Sequence, residues 1–523
     1  MDIDQVGRLL HTLKHLKFIQ VYHQIKYRLI KPKRVGIKWS GSFIDIKLTP
    51  FPQKKKCFTV HDGKWRFDFL NLSHSFDLKE VDWSFVENGM LWAYNLNYFD
   101  YLCQTDMTKE QGLELLSCFY STPHKKKSII LHPYPVSLRI INISKFISRY
   151  NVKEEWLYHE LVTDLKFLNG RLEYHLLGNH LLENAFALYV GGVITGQNEF
   201  IQNGKNLLNK EMKEQILNDG MHYERSPMYH LIILERVIDT LNFSEAYNDN
   251  LKLLLKSYAI KMTSFARNWE ELIRFPMIQD SAYDIALPVN VLNAYSKSLL
   301  GKEYPSLPSE MKESGYRILR SGEFYLFANV GCIAPSYQPA HAHSDELTFE
   351  LFYNDLPYIV DMGISTYQKN EQRKLERSSS SHNCISLNDE NLSDIWSGFR
   401  VGKRAKVSSK SNKNNINAIC KNKKIEISRE FCLSNRGIKL IDNIKLNSTG
   451  MAFGYLHIHP DYELESIDKS TFKVANIIIS INSDKDGIRI DDFDYCAGYN
   501  KRVPSKKIVY SLKSSANVEF RKA

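Results

Sequence analysis

Paired cysteine motifs are missing from this 523-residue sequence, which holds eight scattered cysteines and no CxxC spacing. A disulfide framework and a cysteine-only zinc site both need regularly spaced cysteines, so the sequence predicts neither of them. Long apolar runs are also missing, and none approaches the length of about 18 residues that a membrane-spanning helix needs. We therefore expect no spanning segment, and the cysteine usage is typical of a reducing compartment.

A secretory signal is likewise not evident, because the first 34 residues contain no apolar h-region. Their apolar residues, such as Leu9, Leu13 and Leu16, recur instead at helical spacing among basic residues. We expect a packed terminal helix here, with an anionic membrane surface as the alternative contact. The expected location is cytoplasmic or peripheral to the inner membrane face, and a periplasmic location stays open.

No recognisable nucleic-acid module occurs, although the formal charge is +10 and the pI about 8.9. Such an excess of positive charge suits nucleic acid, anionic lipid or an acidic polysaccharide. Aromatic residues are not interleaved with cations in the pattern of RNA-binding modules. We therefore expect no nucleic-acid partner.

The spacing of hydrophobic residues changes along the chain. At 523 residues the chain is too long for one core, so its length predicts two or three domains. Residues 1–75 are predicted to form an amphipathic and extended segment. Residues 76–312 show helical spacing, which predicts antiparallel helices in a bundle, solenoid or toroid. Residues 313–523 show short alternating runs between polar turns, which predict a β-sandwich. The predicted helices include Glu155–Leu168, Leu176–Val190, Phe200–Leu217, Tyr229–Leu241 and Leu251–Phe265.

The segment from Pro339 to Tyr367 combines two histidines, several carboxylates and three tyrosines. Strict alternation predicts a strand over residues 341–351, whose apolar face ends in His341, His343 and Asp345. Asn354-Asp355 predicts a tight turn before a second strand over residues 356–360. The segment therefore indicates a core that extends into a polar site, and the alternative is an ordinary hairpin with a polar end.

Two polar clusters interrupt the predicted helices. Asn179 and His180 follow Gly178 inside a helical run, where glycine and asparagine are poor choices; the alternative is a helix start capped by Asn179. Ser226-Pro227 predicts a helix start that brings Glu224 and Tyr229 to its N-terminal end. The alternative for this second cluster is that its aromatic residues belong to the core.

A further polar cluster runs from Arg377 to Arg404. His382 follows a serine run and leads into a predicted strand, and FRVGKR places three cations near an aromatic residue. The alternative interpretation of these cations is a solvated edge.

The motifs HAHSDELTFEL, YIVDMG, SSHN, DGMHYERSPMYH and GNHLLENA resemble those of heparinase II/III-type polysaccharide lyases, in matching order over residues 80 to 460 or so. The resemblance implies an α+β multidomain protein, with an incomplete (α/α) toroid followed by an antiparallel β-sandwich. It also implies a carbon–oxygen lyase that cleaves an acidic polysaccharide or oligosaccharide at a uronic acid by β-elimination. A role in capsule or exopolysaccharide metabolism is expected, and the oligomeric state stays open.

The same resemblance implies catalytic roles for Asn179, Tyr229 and His341. Asn179 matches the residue that binds the uronate carboxylate, whose growing charge must be neutralised during proton removal. Tyr229 and His341 match the acid and base, and we expect neighbouring cations and donors to lower the tyrosine pKa. Which of the two is the base depends on the configuration at C5. The expected substrate-binding residues are His180, Glu224 and Arg377.

Some relatives carry a zinc ion in the β domain, and the matching residues here are His343, Asp361 and His382. Two histidines and a carboxylate suit zinc, with water as the fourth ligand. A two-residue turn, however, pairs Asp361 with Thr348, on the opposite face from His343 and about 17 Å further along. The site therefore requires a bulge or a bent strand. We expect one structural Zn²⁺ that shapes the loop carrying His341, and no organic cofactor.

Two alternatives stay open beside the lyase. A uronyl C5-epimerase shares the removal of the C5 proton but returns a proton without elimination. A non-catalytic glycan-binding or assembly protein has no need of convergent catalytic groups. Convergence of Asn179, Tyr229 and His341 in one cleft separates this last alternative from the two enzymes.

Overall fold

The computed structural model of the protein describes residues 3–30, 33–123, 129–306, 310–434 and 436–523. Within these ranges, none of the helices combines the length and the apolar character needed to cross a membrane.

Two short helices, α1 (Ile3–Leu13) and α2 (Phe18–Leu29), lie at the N-terminal side. An extended segment follows and leads to a small antiparallel sheet whose strands pair in the order β1-β2-β3. Its aromatic face packs on the helical domain, where the rings of Phe67 and Tyr101 lie 5.3 Å apart. The strands are β1 (Phe58–His61), β2 (Lys64–Phe69) and β3 (Leu72–Asp77).

The helical domain is built around α7, in which every side chain except that of His180 is buried. A Cβ on Gly191 would lie 2.6 Å from Ile140 Cγ2, so glycine allows α5 and α7 to approach closely. The five predicted helices are confirmed as α6 to α10. The helices are α3 (Met90–Tyr98), α4 (Lys109–Ser121), α5 (Pro133–Tyr150), α6 (Glu155–Asn169), α7 (Gly178–Thr195), α8 (Asn198–Gln215), α9 (Pro227–Ala246), α10 (Leu251–Ala266) and α11 (Val289–Leu300).

Strands dominate from Glu310 onward. The first part of this region contains β4 (Glu310–Met311), β5 (Tyr316–Ser321), β6 (Phe324–Asn329), β7 (Phe349–Tyr353), β8 (Leu356–Ile359), helix α12 (Glu371–Glu376), β9 (Ile385–Leu387), β10 (Ile395–Trp396) and β11 (Arg400–Val401). The second part contains β12 (Lys406–Ser411), β13 (Asn415–Lys421), β14 (Ile425–Ser434), β15 (Gly437–Leu446), β16 (Ala452–His457), β17 (Leu464–Ser466), β18 (Thr471–Val474), β19 (Ile477–Ser483), β20 (Ile488–Gly498), β21 (Lys501–Leu512) and β22 (Ser515–Lys522).

The strands of the C-terminal region form antiparallel sheets around a shared core. The largest sheet has the order β12-β13-β14-β15-β22-β19-β18-β17, and a smaller one has the order β20-β21-β16-β9. Residues of both sheets, such as Leu440 and Ile508, belong to one hydrophobic cluster. The architecture is therefore the expected one, helical toroid followed by antiparallel β-sandwich.

A sheet of order β4-β5-β6-β7-β8 is buried on both faces and joins the two domains. On one face, the Phe327 ring lies 5.9 Å from that of Trp269, and Tyr325 donates to the Asn268 carbonyl at 3.1 Å. On the other face, Phe324 and Leu326 lie in the sandwich core. Because each face contacts a different domain, this sheet fixes how the toroid and sandwich meet.

The predicted hairpin is only partly correct. The Asn354-Asp355 turn is confirmed, with φ of 49° and 62° at its two residues. The prediction of a strand from residue 341 is wrong, because β7 begins at Phe349. Residues 341–348 are irregular and almost wholly enclosed, and Leu347 has a φ of 63°, which no strand residue adopts. Other segments cover residues 341–348 on all sides. Alternation of polar and apolar residues therefore does not mark an exposed and a buried face here, and it does not indicate a strand.

Polar substitution on either face of β6 should destabilise the protein, because both faces are buried. We expect Leu326→Ser and Phe327→Ser each to lower the free energy of unfolding by roughly 3–5 kcal/mol. Urea unfolding followed by circular dichroism measures this, with Ile419→Ser, at a 42% exposed position, as the control. A serine substitution on either face that left the free energy of unfolding unchanged would contradict the burial of both faces.

Candidate active site

Asp280 is the centre of a buried polar cluster between the two domains. It lies in the irregular segment between α10 and α11, and both of its carboxylate oxygens are used twice. Its Oδ2 accepts from His341 Nδ1 at 2.8 Å, and its Oδ1 accepts from His343 Nε2 at 2.8 Å. The Arg373 guanidinium donates to the same two oxygens at 2.5 and 2.7 Å. One carboxylate of the toroid therefore orients both histidines of the HAH motif.

This arrangement keeps Asp280 charged. Burial by itself raises the pKa of a carboxyl group, yet the Arg373 charge and the hydrogen bonds from His341 and His343 hold the pKa of Asp280 well below its ordinary value. A charged partner on Nδ1 leaves His341 Nε2 directed toward the other candidate residues. The contact thus uses the Nδ1 side of the ring and leaves the Nε2 side to face Asn179 and Glu224.

Tyr229 packs face to face on His341. The two ring centroids lie 3.9 Å apart, with 29° between the ring planes. Tyr229 occupies the first turn of α9, where Ser226 caps the helix as predicted and Pro227 follows. The Ser226 hydroxyl also donates to the Asp280 carbonyl at 2.7 Å, which ties the start of α9 to the carboxylate that orients His341.

The expected lowering of the Tyr229 pKa does not occur in this structure. Burial raises the pKa of Tyr229 well above its ordinary value, reinforced by Tyr499, and the hydrogen bond with Tyr367 offsets only part of this rise. The Tyr229 and Tyr367 hydroxyl oxygens lie 3.2 Å apart. Tyr229 is therefore a neutral phenol at neutral pH, a state suited to donating a proton.

Asn179 completes the cluster from the first turn of α7. Its backbone and side-chain N–H groups donate to Glu224 at 2.9 and 2.8 Å, and its Nδ2 lies 3.4 Å from His341 Nε2. A Glu224 oxygen lies 3.3 Å from the same His341 nitrogen. The helix begins at Gly178 and not after Asn179, so Asn179 lies inside the first turn. Asn179, Tyr229 and His341 are thus brought together at one point.

His180 projects from α7 beside an aromatic wall. Its ring lies 4.5 Å from that of Tyr134, and the wall continues through Tyr98 and Tyr94, all of them half-buried. Burial opposes a charge on His180, but the contact of Nδ1 with Glu173 at 3.1 Å raises its pKa. His180 therefore adds positive character next to Asn179.

Arg377 is buried and contacts backbone. Its guanidinium donates to the Ala342 carbonyl at 3.2 and 2.8 Å, between the two histidines of the HAH motif. Burial lowers its pKa to about 9. These contacts hold the histidine loop in place, and the substrate-binding role of Arg377 stays a prediction.

His343, His382 and Asp361 lie near one another, although strand arithmetic placed Asp361 far from His343. The rings of His343 and His382 are 5.2 Å apart, and His382 Nδ1 contacts Asp361 Oδ2 at 2.7 Å. The bulge that the sequence required is present, since Leu351 pairs with Ile359 while Phe352 pairs with Pro357. The irregular path of residues 341–348 also brings His343 closer to Asp361 and His382 than a straight strand would.

Two imidazole nitrogens in this group lack partners. His343 Nδ1 and His382 Nε2 are buried and form no hydrogen bond with the described residues. Asp361 uses its oxygens for His382 and for the Gly363 amide. Over the described ranges, no three His, Cys, Asp or Glu side chains stand in an arrangement ready to hold a metal ion. The two free nitrogens nevertheless fit zinc, which imidazole binds well.

Two family descriptions match this chain. Heparinase II/III N-terminus matches residues 124–285, which carry Asn179 and Tyr229, and Heparinase II/III-like, C-terminal matches residues 305–521, which carry His341. The chain belongs to the heparinase II/III-type family. Its resemblance to that family, inferred above from separate motifs, is confirmed.

Relatives in this heparinase II/III-type family include two heparin-sulfate lyases. That of Pedobacter heparinus is 24% identical over 373 residues, or 64% of this chain and 55% of the relative. That of Bacteroides stercoris is 27% identical over 267 residues, or 42% of this chain and 37% of the relative. The chain therefore spans about half the length of the curated relatives that it matches, or less.

Solved structures agree on the fold. A crystal structure of heparinase III superposes with a TM-score of 0.66 at 15% identity, covering 96% of this chain and 89% of that one. Heparan sulfate lyase HepC from Pedobacter heparinus gives a TM-score of 0.54 at 16% identity, covering 88% and 81%. At these identities the likeness establishes the toroid and sandwich architecture alone.

Asp280, Arg373 and Tyr367 were not singled out from the sequence. Asp280 lies in an irregular segment with no motif of its own, so nothing local distinguished it. Arg373 and Arg377 lie four residues apart in RKLER, and nothing in that stretch distinguishes the first from the second. Tyr367 ends the segment that begins at Pro339, and its contact with Tyr229 joins residues that are 138 positions apart in the sequence.

Loss of Arg373 should destabilise this heparinase-like protein, because it leaves the Asp280 charge buried and poorly compensated. We expect Arg373→Met to lower the free energy of unfolding at pH 7 by about 3–5 kcal/mol. The depressed pKa of Asp280 contributes stability above the unfolded value of about 3.9, and this contribution fades as pH falls through the folded pKa. The difference between variant and wild type should therefore shrink in acid.

Urea unfolding at pH 7 and below measures this effect. The matched control is Arg320→Met, whose salt bridge with Glu271 at 2.9 Å is exposed, and which should change stability by less than about 1 kcal/mol. Equal effects of the two substitutions would show that the Asp280 charge is not stabilised by Arg373.

Proposed function

We propose that this protein is a polysaccharide lyase that cleaves a uronic-acid-containing acidic glycan by β-elimination. The observation that carries the proposal is the meeting of Asn179, Tyr229 and His341 at one point. An amide donor, a phenol and an oriented imidazole are the three groups that this reaction requires. The names of the matched heparin-sulfate lyases are consistent with an acidic glycan as substrate.

The first requirement is to neutralise the uronate carboxylate. Negative charge builds up on this group as the C5 proton leaves, and fixed donors in an enclosed site stabilise that charge. The Asn179 Nδ2 group is such a donor, and Glu224 holds it in position through two hydrogen bonds. His180, with its raised pKa, adds a positive group on the same helix.

The second requirement is an acid and a base near the C5–C4 bond. The Asp280 contact keeps a proton on His341 Nδ1, so His341 Nε2 is the group that takes the C5 proton. The neutral Tyr229 phenol then donates its proton to the O4 leaving group as the C4–O bond breaks. Because the two rings stack, we expect both groups to act from one side of the sugar. The products are an unsaturated uronate and a free reducing end.

We also propose that a zinc ion is held by His343 Nδ1 and His382 Nε2, and that Asp361, which contacts His382 Nδ1, orients this ring from its other side. The support is the pair of buried nitrogens without partners, and the carboxylates that orient each ring from its other nitrogen. When bound, the ion would cross-link the loop that carries His341 to the segment before β9. Its contribution would be to stability, since His341 itself is oriented by Asp280.

A screen of uronic-acid polymers should reveal products that absorb ultraviolet light, because the unsaturated uronate is conjugated. Tyr229→Phe and His341→Ala should each lower this activity by about 10²–10⁴-fold, since each removes a proton-transfer group. Asn179→Ala should lower it by about 10²–10³-fold through loss of charge neutralisation. Absorbance measured over time, with circular dichroism to verify folding, tests these values.

Matched controls for the screen are Tyr247→Phe, at the opposite end of α9, and His159→Ala on α6; both should keep full activity. Full activity of Tyr229→Phe and His341→Ala would overturn the assignment of the site. Exchange of deuterium from solvent into the polymer, without chain cleavage, would instead identify a uronyl C5-epimerase.

Metal analysis of the purified protein should find about one zinc ion per chain. His343→Ala should lose the ion and lower the melting temperature, and a chelator should lower the melting temperature of the wild type alone. His61→Ala, at an exposed histidine, is the control. A metal-free wild type whose melting temperature is unchanged by added zinc would rule the site out.

A further inference from the structure

The outward face of α2 carries an unusual concentration of exposed apolar side chains. Among the described residues, nine of the 23 large hydrophobic residues that are exposed lie between Leu10 and Val35. Phe18 and Leu29 are 84% and 79% exposed, and Tyr22 and Ile25 are 51% and 55% exposed. These four residues recur at helical spacing, so they form one stripe. A stripe of this kind points to an apolar environment that the other described residues do not provide.

The opposite face of α2 is firmly seated on the toroid. Gln20 is buried and its Nε2 donates to the Leu176 carbonyl at 3.4 Å, while the Tyr27 hydroxyl donates to the Leu172 carbonyl at 2.6 Å. The His23 ring lies 4.7 Å from that of Tyr174. The inward face of α2 already packs on the toroid. The outward stripe is therefore a second apolar face, separate from the one that packs on the core.

Positive charge is concentrated in the same part of the chain. The first 34 residues contain eight Lys and Arg against two Asp, so they hold a net charge of +6 out of the +10 of the chain. Lys26 and Arg28 flank the apolar stripe, about 80° to either side of it at 100° per residue. Within the described part of the chain, Lys14, Lys26, Arg28 and Lys33 have no ion-pair partner. The stripe is therefore bordered by uncompensated cations.

We propose that α2 docks this face onto an anionic membrane surface, with its axis parallel to the surface. A helix with an apolar stripe and flanking cations gains from both burial in the lipid interface and attraction to anionic headgroups. A second copy of the chain would place the same cations against each other, which disfavours a symmetric dimer through this face. Charge complementarity thus favours the lipid surface.

Docking would also position the candidate active site. The carbonyls of Leu172 and Leu176 that hold α2 belong to the segment that leads directly into Asn179, three residues after Leu176. The N-terminal end of α7, which carries Asn179, would therefore lie on the side of the molecule that faces the bilayer. A glycan attached to or emerging from that membrane is then presented near the catalytic groups. The docking itself does not depend on the proposed lyase activity.

Sedimentation of the full chain with lipid vesicles tests the proposal. We expect binding to vesicles of phosphatidylcholine and phosphatidylglycerol, little binding to phosphatidylcholine alone, and loss of binding at high salt. Ile25→Ser/Leu29→Ser and Lys26→Gln/Arg28→Gln should each weaken the partition by about tenfold or more. Circular dichroism verifies that the variants fold.

The matched control is Leu253→Ser/Ile273→Ser, which removes apolar residues that are 70% and 64% exposed elsewhere on the surface. This variant should bind vesicles as the wild type does. Failure of the wild type to bind anionic vesicles would overturn the proposal. A dimer in light scattering that dissociates on Ile25→Ser/Leu29→Ser, with no vesicle binding, would assign the face to a second copy. Neither result depends on the activity of Tyr229 or His341.

Discussion

The carboxylate of Asp280 is the interaction on which the candidate site depends. It is contributed by the toroid, yet all four hydrogen bonds that its oxygens accept come from His341, His343 and Arg373 of the β domain. A buried carboxylate is costly unless it is paired and fully hydrogen-bonded, and here every lone pair is in use. The same contacts orient the His341 ring, because its Nδ1 donates to this carboxylate. Stability at the domain junction and the orientation of His341 therefore come from one group.

The two-faced sheet β4–β8 is what makes such a junction possible. It presents Phe327 and Tyr325 to the toroid and Leu326 and Phe324 to the sandwich, so the domains share a layer instead of touching through a polar interface. Rigid coupling of this kind suits a reaction whose groups come from both sides. Asn179 and Tyr229 lie on toroid helices and His341 on a loop of the other domain. Even so, Asn179 Nδ2 lies 3.4 Å from His341 Nε2, and the Tyr229 ring stacks on that of His341.

Much of this organisation was predictable from sequence, for identifiable reasons. Helices α6 to α10 have strong periodicity, and the turn at Asn354-Asp355 has a composition that determines its conformation. The roles of Asn179, Tyr229 and His341 came from motif resemblance, and their convergence needed the structure. The prediction of a strand over residues 341–348 was wrong, because alternation of polar and apolar residues indicates a strand only when one face is exposed. Asp280 and Arg373 could not be predicted, since their importance comes from contacts between segments that are far apart in the chain.

The contacts of helix α1 with the β domain affect the order in which parts of the protein can fold during synthesis. Thr12 of α1 bonds to the Trp396 indole across 384 residues of sequence, and Arg8 pairs with Asp394 at 3.0 Å. Helix α1 is synthesised early, but these two partners leave the ribosome only after about three quarters of the chain has been made. Arg8 and Thr12 therefore lack these partners during most of synthesis, and α1 reaches its final position only when residues 394–396 of the β domain are in place.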